Sequence, residues 1–177
     1  MPTHPPDEEF MRRAISLSQQ AMAAGSGPPF GAVIVRGGRI VAEGLNCVHA
    51  NHDPTAHAEI VAIREACKRL SSPFLEDCVI YSSSEPCPMC LSAIHWSRIS
   101  AIYYSTDREA AALAGFDDAL LYAELQRPVA LRQLPMAQVL PDEGQWTFDL
   151  WAANGHVAVQ TRLGKRPTEA RVSPRAR

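Results

Sequence analysis

Residues 57–59 read His-Ala-Glu, and residues 86–90 read Pro-Cys-Pro-Met-Cys. These two stretches contain the side chains with the most specific chemistry in the chain. Imidazole and thiolate groups are typical zinc ligands, and a catalytic zinc site has three protein ligands with a fourth position left for water. His57, Cys87 and Cys90 supply three such groups, and no fourth ligand of comparable quality lies at motif spacing. The sequence therefore predicts a catalytic zinc site with an open position.

Glu59 lies two residues after the histidine, and we predict that it is an acid–base group and not a ligand. Two thiolates cancel the formal +2 charge of zinc, so the bound water is expected to be less acidic than one held by three neutral imidazoles. A carboxylate beside the metal compensates, because it takes the water proton and later returns it. The expected cofactor is one Zn²⁺ per chain, with water or hydroxide as its fourth ligand.

The spacing H-x-E…P-C-x-x-C is the signature of zinc-dependent nucleobase deaminases. Two alternatives for the cysteine pair are a redox-active C-x-x-C and half of a structural zinc site. The prolines at 86 and 88, and an upstream His-Ala-Glu with its own helix start, count against both. A non-catalytic zinc module that binds a partner is a further alternative. An intact Glu59 argues against it, because a purely structural site has no use for a carboxylate beside an open ligand position.

Both ligand-bearing stretches are predicted to begin helices. Asp53 and Pro54 are typical of an N-cap and a first helical position, and apolar residues then recur at helical spacing as far as Leu70. The second stretch continues in the same way from Leu91. Because a helix N-terminus carries partial positive charge, it favours a thiolate. We therefore expect two facing helix N-termini to form the zinc site.

Alternating strands and helices predict a sheet with helices on both faces. Short apolar runs predict strands at 32–35, 39–42, 78–81 and 101–104. Helical periodicity predicts helices at 7–24, 55–70, 109–114, 118–126 and 145–153. Gly37 and Gly38, between the first two strands, are a strong hairpin signal. The first helix is expected to bury Phe10, Ala14, Ile15, Leu17, Ala21 and Met22.

Length and cysteine content favour an intracellular protein with one domain. A chain of 177 residues is long enough for one domain with a real core. The first ten residues are polar, proline-rich and acidic, which argues against a secretory signal peptide, and no apolar run approaches transmembrane length. Five cysteines at irregular spacing do not indicate a disulfide framework. We therefore expect a cytoplasmic, reduced protein with no membrane partner.

The net charge of −2 is unevenly distributed. Six of the 17 basic residues but one of the 19 acidic residues lie from Gln160 onward, which leaves 11 basic and 18 acidic residues, a net charge of −7, in the rest. A protein that grips a polyphosphate backbone is expected to show the opposite sign on its binding face. We therefore expect no nucleic-acid partner. The basic composition from residue 160 onward predicts a flexible C-terminal tail at 160–177, which leaves 1–159 as the zinc-dependent deaminase domain that the motif indicates.

Several segments together resemble bacterial guanine deaminases of the cytidine deaminase superfamily. They are Phe-Gly-Ala-Val at 30–33, Asn46, NHDPTAHAE at 51–59, SEPCPMC at 84–90, Trp96 and Gly-Phe-Asp-Asp at 115–118. The zinc motif alone indicates only the superfamily, whereas Asn46 together with Gly-Phe-Asp-Asp narrows the resemblance to the guanine deaminases. It extends from the first helix to about Leu140. It implies a three-layer α/β/α, cytidine-deaminase-like fold, with helices on both faces of a central mixed sheet of about five strands.

The resemblance also implies a role for each matching residue. Asn46 would hydrogen-bond the purine, and Asp118 would hold the amino group and accept protons as it leaves. Phe30 and Trp96 would line the base pocket, and His57 is counted with the substrate-contacting residues. The implied reaction is hydrolysis of guanine at C2 to xanthine and ammonia, in purine salvage or catabolism. From the residues alone, Asn46 could be a turn former, the two aspartates helix caps and the aromatic residues plain core.

The C-terminal segment departs from the family pattern. In the family this segment often crosses to a partner subunit and covers its active site, ending near an aromatic residue. Trp151 could belong to such a segment, but the chain continues 26 residues beyond it and has no tyrosine after Tyr122. The resemblance implies a homodimer, with exchanged C-terminal segments as a hypothesis. Which residue closes the pocket stays open.

Two other enzymatic functions share the scaffold. The tRNA adenosine deaminases share EPC at 85–87, MC at 89–90 and SRI at 97–99, but a net charge of −7 argues against the positive face that an anticodon arm needs. A deaminase of guanosine, another nucleoside or an aminotriazine differs mainly in what fits under the C-terminal segment. The sequence separates the free base from the nucleoside poorly.

Overall fold

The computed structural model describes residues 5–154. Their elements in chain order are α1 (Glu8–Ala23), β1 (Gly31–Arg36), β2 (Arg39–Leu45), α2 (Val48–Asn51), α3 (Ala58–Leu70), β3 (Cys78–Ser84), α4 (Pro88–Trp96), β4 (Ala101–Thr106), α5 (Arg108–Leu113), α6 (Ala119–Gln126), a 3₁₀ turn (Val129–Leu131) and α7 (Pro141–Ala153). The chain divides into two compact units, one that ends at Arg127 and one that begins at Pro128. None of the described helices is long and apolar enough to span a bilayer.

The first unit contains a mixed sheet in the order β2-β1-β3-β4. Strand β1 is antiparallel to both β2 and β3, whereas β3 and β4 are parallel. Gly37 and Gly38 both have positive φ, 56° and 72°, which is the backbone of a two-residue hairpin whose twist matches its strands. The described residues form four strands and not about five, because after β4 the side chain of Asp107 caps helix α5 and the chain continues as helix.

Helices cover both faces of this sheet, so the three-layer α/β/α prediction is confirmed. Side chains of a strand alternate between its faces. On β1, Val33 and Val35 belong to the cluster that includes Ala14 of α1, whereas Ala32 and Ile34 belong to the cluster of α3 and α4. Every one of these five side chains is buried. The sheet is thus anchored on one face by α1 and presents the other to the two ligand-bearing helices.

Helix α1 begins where the sequence predicted. The carboxylate of Asp7 accepts the Glu9 N–H at 2.9 Å and caps the helix. Its buried residues are Ala14, Leu17, Ser18 and Ala21. The prediction that Met22 faces the core was wrong, since its side chain is 62% exposed. Successive residues lie roughly 100° apart around a helix, and Met22 falls just outside the stripe that the four buried residues define.

The second unit is described from Pro128 to Asn154 and contains the 3₁₀ turn and α7. Helix α7 begins at Pro141, four residues before the predicted start, with Pro at its first turn and two acidic residues after it. Proline and acidic side chains are both favoured there, because the first N–H groups have no helical partner and carry partial positive charge. The predicted boundary between residues 159 and 160, and the basic tail, lie outside the described residues.

Candidate active site

The two metal-binding stretches both begin helices, as predicted, but the start of α3 lies later than expected. His57 is the N-cap of α3, and Cys87 is the N-cap of α4, with Pro88 in its first turn. Asp53 does not cap the helix. Its carboxylate accepts the N–H and the hydroxyl of Thr55 at 2.8 and 2.7 Å, which closes a local turn before α3. The predicted N-cap at Asp53 was therefore wrong, and the helix begins about three residues later than the predicted residue 55.

The geometry of the three predicted ligands fits zinc. His57 Nδ1 lies 3.7 Å from Cys87 Sγ and 3.5 Å from Cys90 Sγ, and all three ligand atoms lie within 4.8 Å of one another. With Zn–S of about 2.3 Å and Zn–N of about 2.0–2.1 Å at tetrahedral angles, such atoms are roughly 3.5–3.8 Å apart. These are the edges of a tetrahedron with one corner left over. Among the described residues, this is the one group of histidine, cysteine and acidic side chains placed to hold a metal.

Without a bound cation, the pKa values of the two cysteine thiols are shifted in opposite directions. Contacts with Cys90 and His57 lower the pKa of Cys87 to about 4. The pKa of Cys90 is raised by its contact with Cys87 and by burial. The pKa of His57 is raised by its hydrogen bond with Cys87. The cluster thus favours a thiolate at Cys87, and a bound divalent cation would favour a thiolate at Cys90 as well.

Glu59 lies in the first turn of α3 and is 5% exposed. Its Oε1 accepts a hydrogen bond from Ser82 Oγ at 3.1 Å, and its Oε2 lies 3.4 Å from Cys90 Sγ. Burial raises the pKa of this carboxyl group. A buried carboxyl group with a raised pKa, placed beside a metal site, is suited to accept and release a proton.

Asn46 is 1% exposed and is held by the loop before β1. Its Oδ1 accepts the Val48 N–H at 3.1 Å, and its backbone carbonyl accepts the Ser26 hydroxyl at 2.9 Å. A Cβ at Gly27 would lie 2.2 Å from Asn46 Oδ1, so this position requires glycine. No described residue accepts a hydrogen bond from Asn46 Nδ2, and none of the buried side-chain polar atoms in the described range lacks a partner. Because Oδ1 is used in this way, the Nδ2 group is the part of the amide that is left to donate to a substrate.

Asn46 and Phe30 are joined directly, since the Asn46 N–H donates to the Phe30 carbonyl at 3.0 Å. The Phe30 ring meets the ring of Phe116 edge-on, with centroids 5.1 Å apart. Phe30 is thus one member of an aromatic pair. Trp96 is placed differently. It ends α4, about 9 Å of helix rise beyond Cys90, and is 52% exposed, so its role in the pocket stays a prediction.

Asp118 lies at the start of α6, and its carboxylate is not used as a cap. Asp118 occupies the N-cap position, and the neighbouring Asp117 accepts the Ala119 N–H at 2.9 Å. Asp118 Oδ1 lies 4.0 Å from Arg108 Nε. Burial raises the pKa of Asp118, Arg108 lowers it, and the negative charge of Cys87 raises it again. The role of Asp118 beside the metal ligands stays a prediction.

Four residues of this site were not predicted from the sequence. Ser82 contacts Glu59, Gly27 makes room for Asn46, Phe116 pairs with Phe30, and Arg108 neighbours Asp118. Phe116 is part of the Gly-Phe-Asp-Asp stretch, so the sequence held a signal for it. The other three contacts join residues from separate elements, and no local pattern indicates them.

Comparison with known proteins agrees with this geometry. The family model for the cytidine and deoxycytidylate deaminase zinc-binding region matches residues 5–106, more than half of the chain. The chain therefore belongs to this family. The matched range contains the three candidate ligands and Glu59.

Within this family the chain is similar to a guanine deaminase. It is 49% identical to the guanine deaminase of Bacillus subtilis over 144 residues, which cover 81% of this chain and 92% of that protein. The crystal structure of guanine deaminase from Bacillus subtilis matches with a TM-score of 0.81 and 45% identity, over 90% of this chain and 99% of that one. A tRNA-specific adenosine deaminase of Aquifex aeolicus is 43% identical over 98 residues, 55% of this chain and 64% of that protein.

Proposed function

We propose that this protein catalyses the hydrolytic deamination of guanine to xanthine and ammonia with zinc as cofactor. The observation that carries the proposal is the position of Glu59 Oε2, 3.4 Å from a sulfur of the tetrahedral ligand group. A structural zinc site has no use for a buried carboxylate at that point. The extent of similarity supports guanine as substrate, because the likeness to a guanine deaminase covers 92% of that protein, including the region of Asn46 and Asp118.

One Zn²⁺ per chain would be held by His57 Nδ1, Cys87 Sγ and Cys90 Sγ, with water completing the tetrahedron. When bound, zinc supplies a Lewis acid that makes this water nucleophilic near neutral pH. The N-terminus of α3 begins beside His57 and that of α4 beside Cys87, and their partial positive charges favour the two thiolates. The chain thereby offsets the negative charge that it brings to the metal.

Glu59 is the general base and then the general acid. Its Oε2 takes a proton from water while the water oxygen bonds to C2 of guanine, and it delivers that proton to the ring nitrogen beside C2. The second water proton passes to the exocyclic amine, the C2–N bond breaks, and ammonia leaves as C2 becomes a carbonyl. Asp118 holds the amino group during this departure and shares in its proton transfers. The balance is guanine plus water to xanthine plus ammonia.

The base pocket is formed by Asn46 and the aromatic pair. Because Asn46 Oδ1 is already bonded to Val48, the amide presents a donor, which suits an acceptor on a purine edge. Flat apolar faces suit a buried base, and Phe30 with Phe116 supplies them. The bond to Val48 orients the Asn46 amide so that it donates to the base, and the two aromatic rings set the plane in which the base lies.

We also propose that the protein is a homodimer, in which the C-terminal segments are exchanged. Large apolar side chains are exposed in each unit of the single chain, a pattern typical of surfaces that are covered in an assembly. They are Leu120, Leu121 and Leu125 on α6, and Trp146, Phe148, Leu150 and Trp151 on α7. Light scattering should give twice the chain mass of 19.3 kDa. A monomer at assay concentration contradicts the dimer.

Location and domain limits are proposals of the same kind. We propose a cytoplasmic enzyme, because zinc binding requires Cys87 and Cys90 as free thiolates, which a reducing compartment preserves. We propose that the deaminase domain ends near residue 159 and that the basic segment 160–177 is not needed for turnover. Removing that segment should leave kcat/KM for guanine unchanged. A large loss would place part of the site beyond residue 159.

Ammonia release tests the function. The purified, zinc-loaded protein is offered guanine, guanosine, adenine, cytosine and cytidine side by side, and the purine product is identified by its ultraviolet spectrum. Turnover of guanine alone, with xanthine as product, is the expected result. Turnover of guanosine instead would support the same chemistry and show that the pocket also accommodates a ribose. If zinc is bound and none of the five substrates releases ammonia, the proposal is contradicted. The next substrate to test is then tRNA, and after it the alternative of a non-catalytic binding module.

A further inference from the structure

The orientation of Glu59 depends on its two carboxylate oxygens in different ways. Oε1 accepts from Ser82 Oγ at 3.1 Å, and Oε2 accepts from the thiol of Cys90 at 3.4 Å. Glu59 and Ser82 are 5% and 2% exposed, so water does not replace either bond easily. A glutamate has three rotatable side-chain bonds, and these two contacts fix where its carboxylate lies.

Metal binding would remove one of the two contacts. A cysteine that ligates zinc is a thiolate, so a zinc-bound Cys90 would have no proton to donate to the adjacent carboxylate. Among the described residues, Ser82 is the side chain that continues to donate a hydrogen bond to Glu59. The contact that matters in the working enzyme is therefore the one from the serine.

We propose that Ser82 is a positioning residue for the general base, a role that rests on the proposed deaminase function. Its hydroxyl anchors Oε1, so that Oε2 is the oxygen that faces the metal ligands and exchanges protons with the water and the purine. Ser82 acts through Glu59 and does not itself touch the reacting atoms. The two oxygens of the carboxylate thereby have separate duties, one held and one reactive.

The placement of Ser82 in the sheet makes it an effective anchor. Strand β3 is hydrogen-bonded on both sides, and Ser82 pairs with Ala32 of β1 and with Tyr104 of β4. Its backbone is thus fixed, and its side chain has one rotatable bond to the hydroxyl. Ala32 lies in the cluster beneath α3, which is the face on which Glu59 lies. A short side chain on a fixed strand loses little entropy in holding the longer one.

The test replaces Ser82 by Ala and by Thr and measures kcat, KM and zinc content. In Ser82→Ala, kcat for guanine should fall roughly 10- to 100-fold, the effect of one hydrogen bond to a charged group, with KM within about twofold and zinc retained. Ser82→Thr keeps the hydroxyl and should restore most of kcat. Ser84→Ala is the matched control. Ser84 lies on the same face of β3, is 6% exposed and donates to the Thr106 carbonyl at 3.2 Å. Its loss should leave kcat near the wild-type value.

A double-mutant cycle and a crystal structure separate positioning from a general effect on the fold. In a Glu59→Gln background, Ser82→Ala should cause no comparable further loss of kcat, because the group that it orients is already disabled. In zinc-loaded crystals of Ser82→Ala, the Glu59 carboxylate should leave its place or occupy several conformers. An unmoved carboxylate, or an equal loss in both backgrounds, overturns the proposal. Wild-type protein that is silent on guanine overturns the deaminase function, while the crystallographic result still decides the role of Ser82.

Discussion

Replacing Gly27 by alanine should damage substrate binding while leaving the metal site intact. A Cβ at this position would lie 2.2 Å from Asn46 Oδ1 and 2.9 Å from the Asn46 carbonyl oxygen. An ordinary contact between carbon and oxygen is about 3.3 Å, so the amide must retreat by roughly 1 Å. A shift of that size takes Oδ1 out of hydrogen-bond range of the Val48 N–H, which now lies 3.1 Å away.

The magnitude follows from these contacts. Overpacking a buried site costs about 1–3 kcal/mol, and the lost hydrogen bond adds about 0.5–1.5 kcal/mol, so the free energy of unfolding should fall by about 1.5–4.5 kcal/mol. Because Asn46 Nδ2 moves with the rest of the amide, the donor to the purine is displaced. The KM for guanine should rise roughly tenfold, the worth of one neutral hydrogen bond, and kcat should change by less than about threefold.

Urea unfolding and steady-state ammonia release measure both effects, and Gly25→Ala is the control. Gly25 lies two residues earlier in the same loop, with φ of +63°, and a Cβ added there would meet nothing within 4 Å. That substitution should cost about 1 kcal/mol of stability through backbone strain alone and leave KM unchanged. If Gly27→Ala binds zinc and keeps the wild-type KM, then Asn46 either does not move or does not contact the purine, and the reasoning fails.

Three further predictions concern charged groups. Glu59→Gln should retain zinc and fold while kcat falls by roughly 10²- to 10⁴-fold, measured by ammonia release together with metal analysis. Arg13 holds the pKa of Glu43 below its ordinary 4.5. The ion pair therefore stabilises the fold fully above pH 4.5, and this contribution is lost as the pH falls through the lowered pKa. Glu43→Gln should reduce the free energy of unfolding in urea at about pH 7 and much less at about pH 3. Arg108→Gln removes the charge that lowers the pKa of Asp118, so the acid limb of the pH profile of kcat/KM should move to higher pH.

Matched controls exist for two of these variants. Glu65→Gln changes an exposed carboxylate on the same helix as Glu59, one that pairs with Arg69 at the surface, and should leave kcat unchanged. Arg98→Gln removes a guanidinium that stacks on the Phe74 ring at 4.0 Å, as Arg108 stacks on Tyr122 at 4.1 Å. It should leave the pH profile in place. A shift of equal size in both arginine variants contradicts a specific effect on Asp118.

Most of the fold could be predicted because local sequence patterns indicate its helices and strands. Strands β1 to β4 and the long helices follow from apolar periodicity, and the hairpin follows from two adjacent glycines. The errors arose where one residue type serves two purposes. Asp53 is as suitable for a local turn with Thr55 as for a helix N-cap; in the structure it forms the turn, and His57 takes the N-cap position. Sequence periodicity does not contain that information.

The candidate site divides in the same way. The metal ligands and Glu59 are a local signature, because zinc chemistry demands particular residue types at short spacing, and the geometry of His57 with the two cysteines agrees with it. The supporting contacts are different. Gly27 touches Asn46 across 19 positions and Arg108 approaches Asp118 across ten, and each depends on how separate elements pack. Glycine and arginine are common, so neither is conspicuous in the sequence.

The three consecutive serines of β3 show why such contacts need the structure. Ser82 donates to Glu59, Ser83 accepts the Gly31 N–H at 3.0 Å, and Ser84 donates to the Thr106 carbonyl. The residues are identical in the sequence, and what separates their duties is the register of β3 against its neighbours. A slip of one residue would turn Ser82 to the other face and bring Ser83 toward Glu59, with Gly31 then unpaired. The bond between Ser83 and Gly31 therefore helps to fix the register that places Ser82, so the orientation of the general base depends on a strand pairing as much as on the helix that carries it.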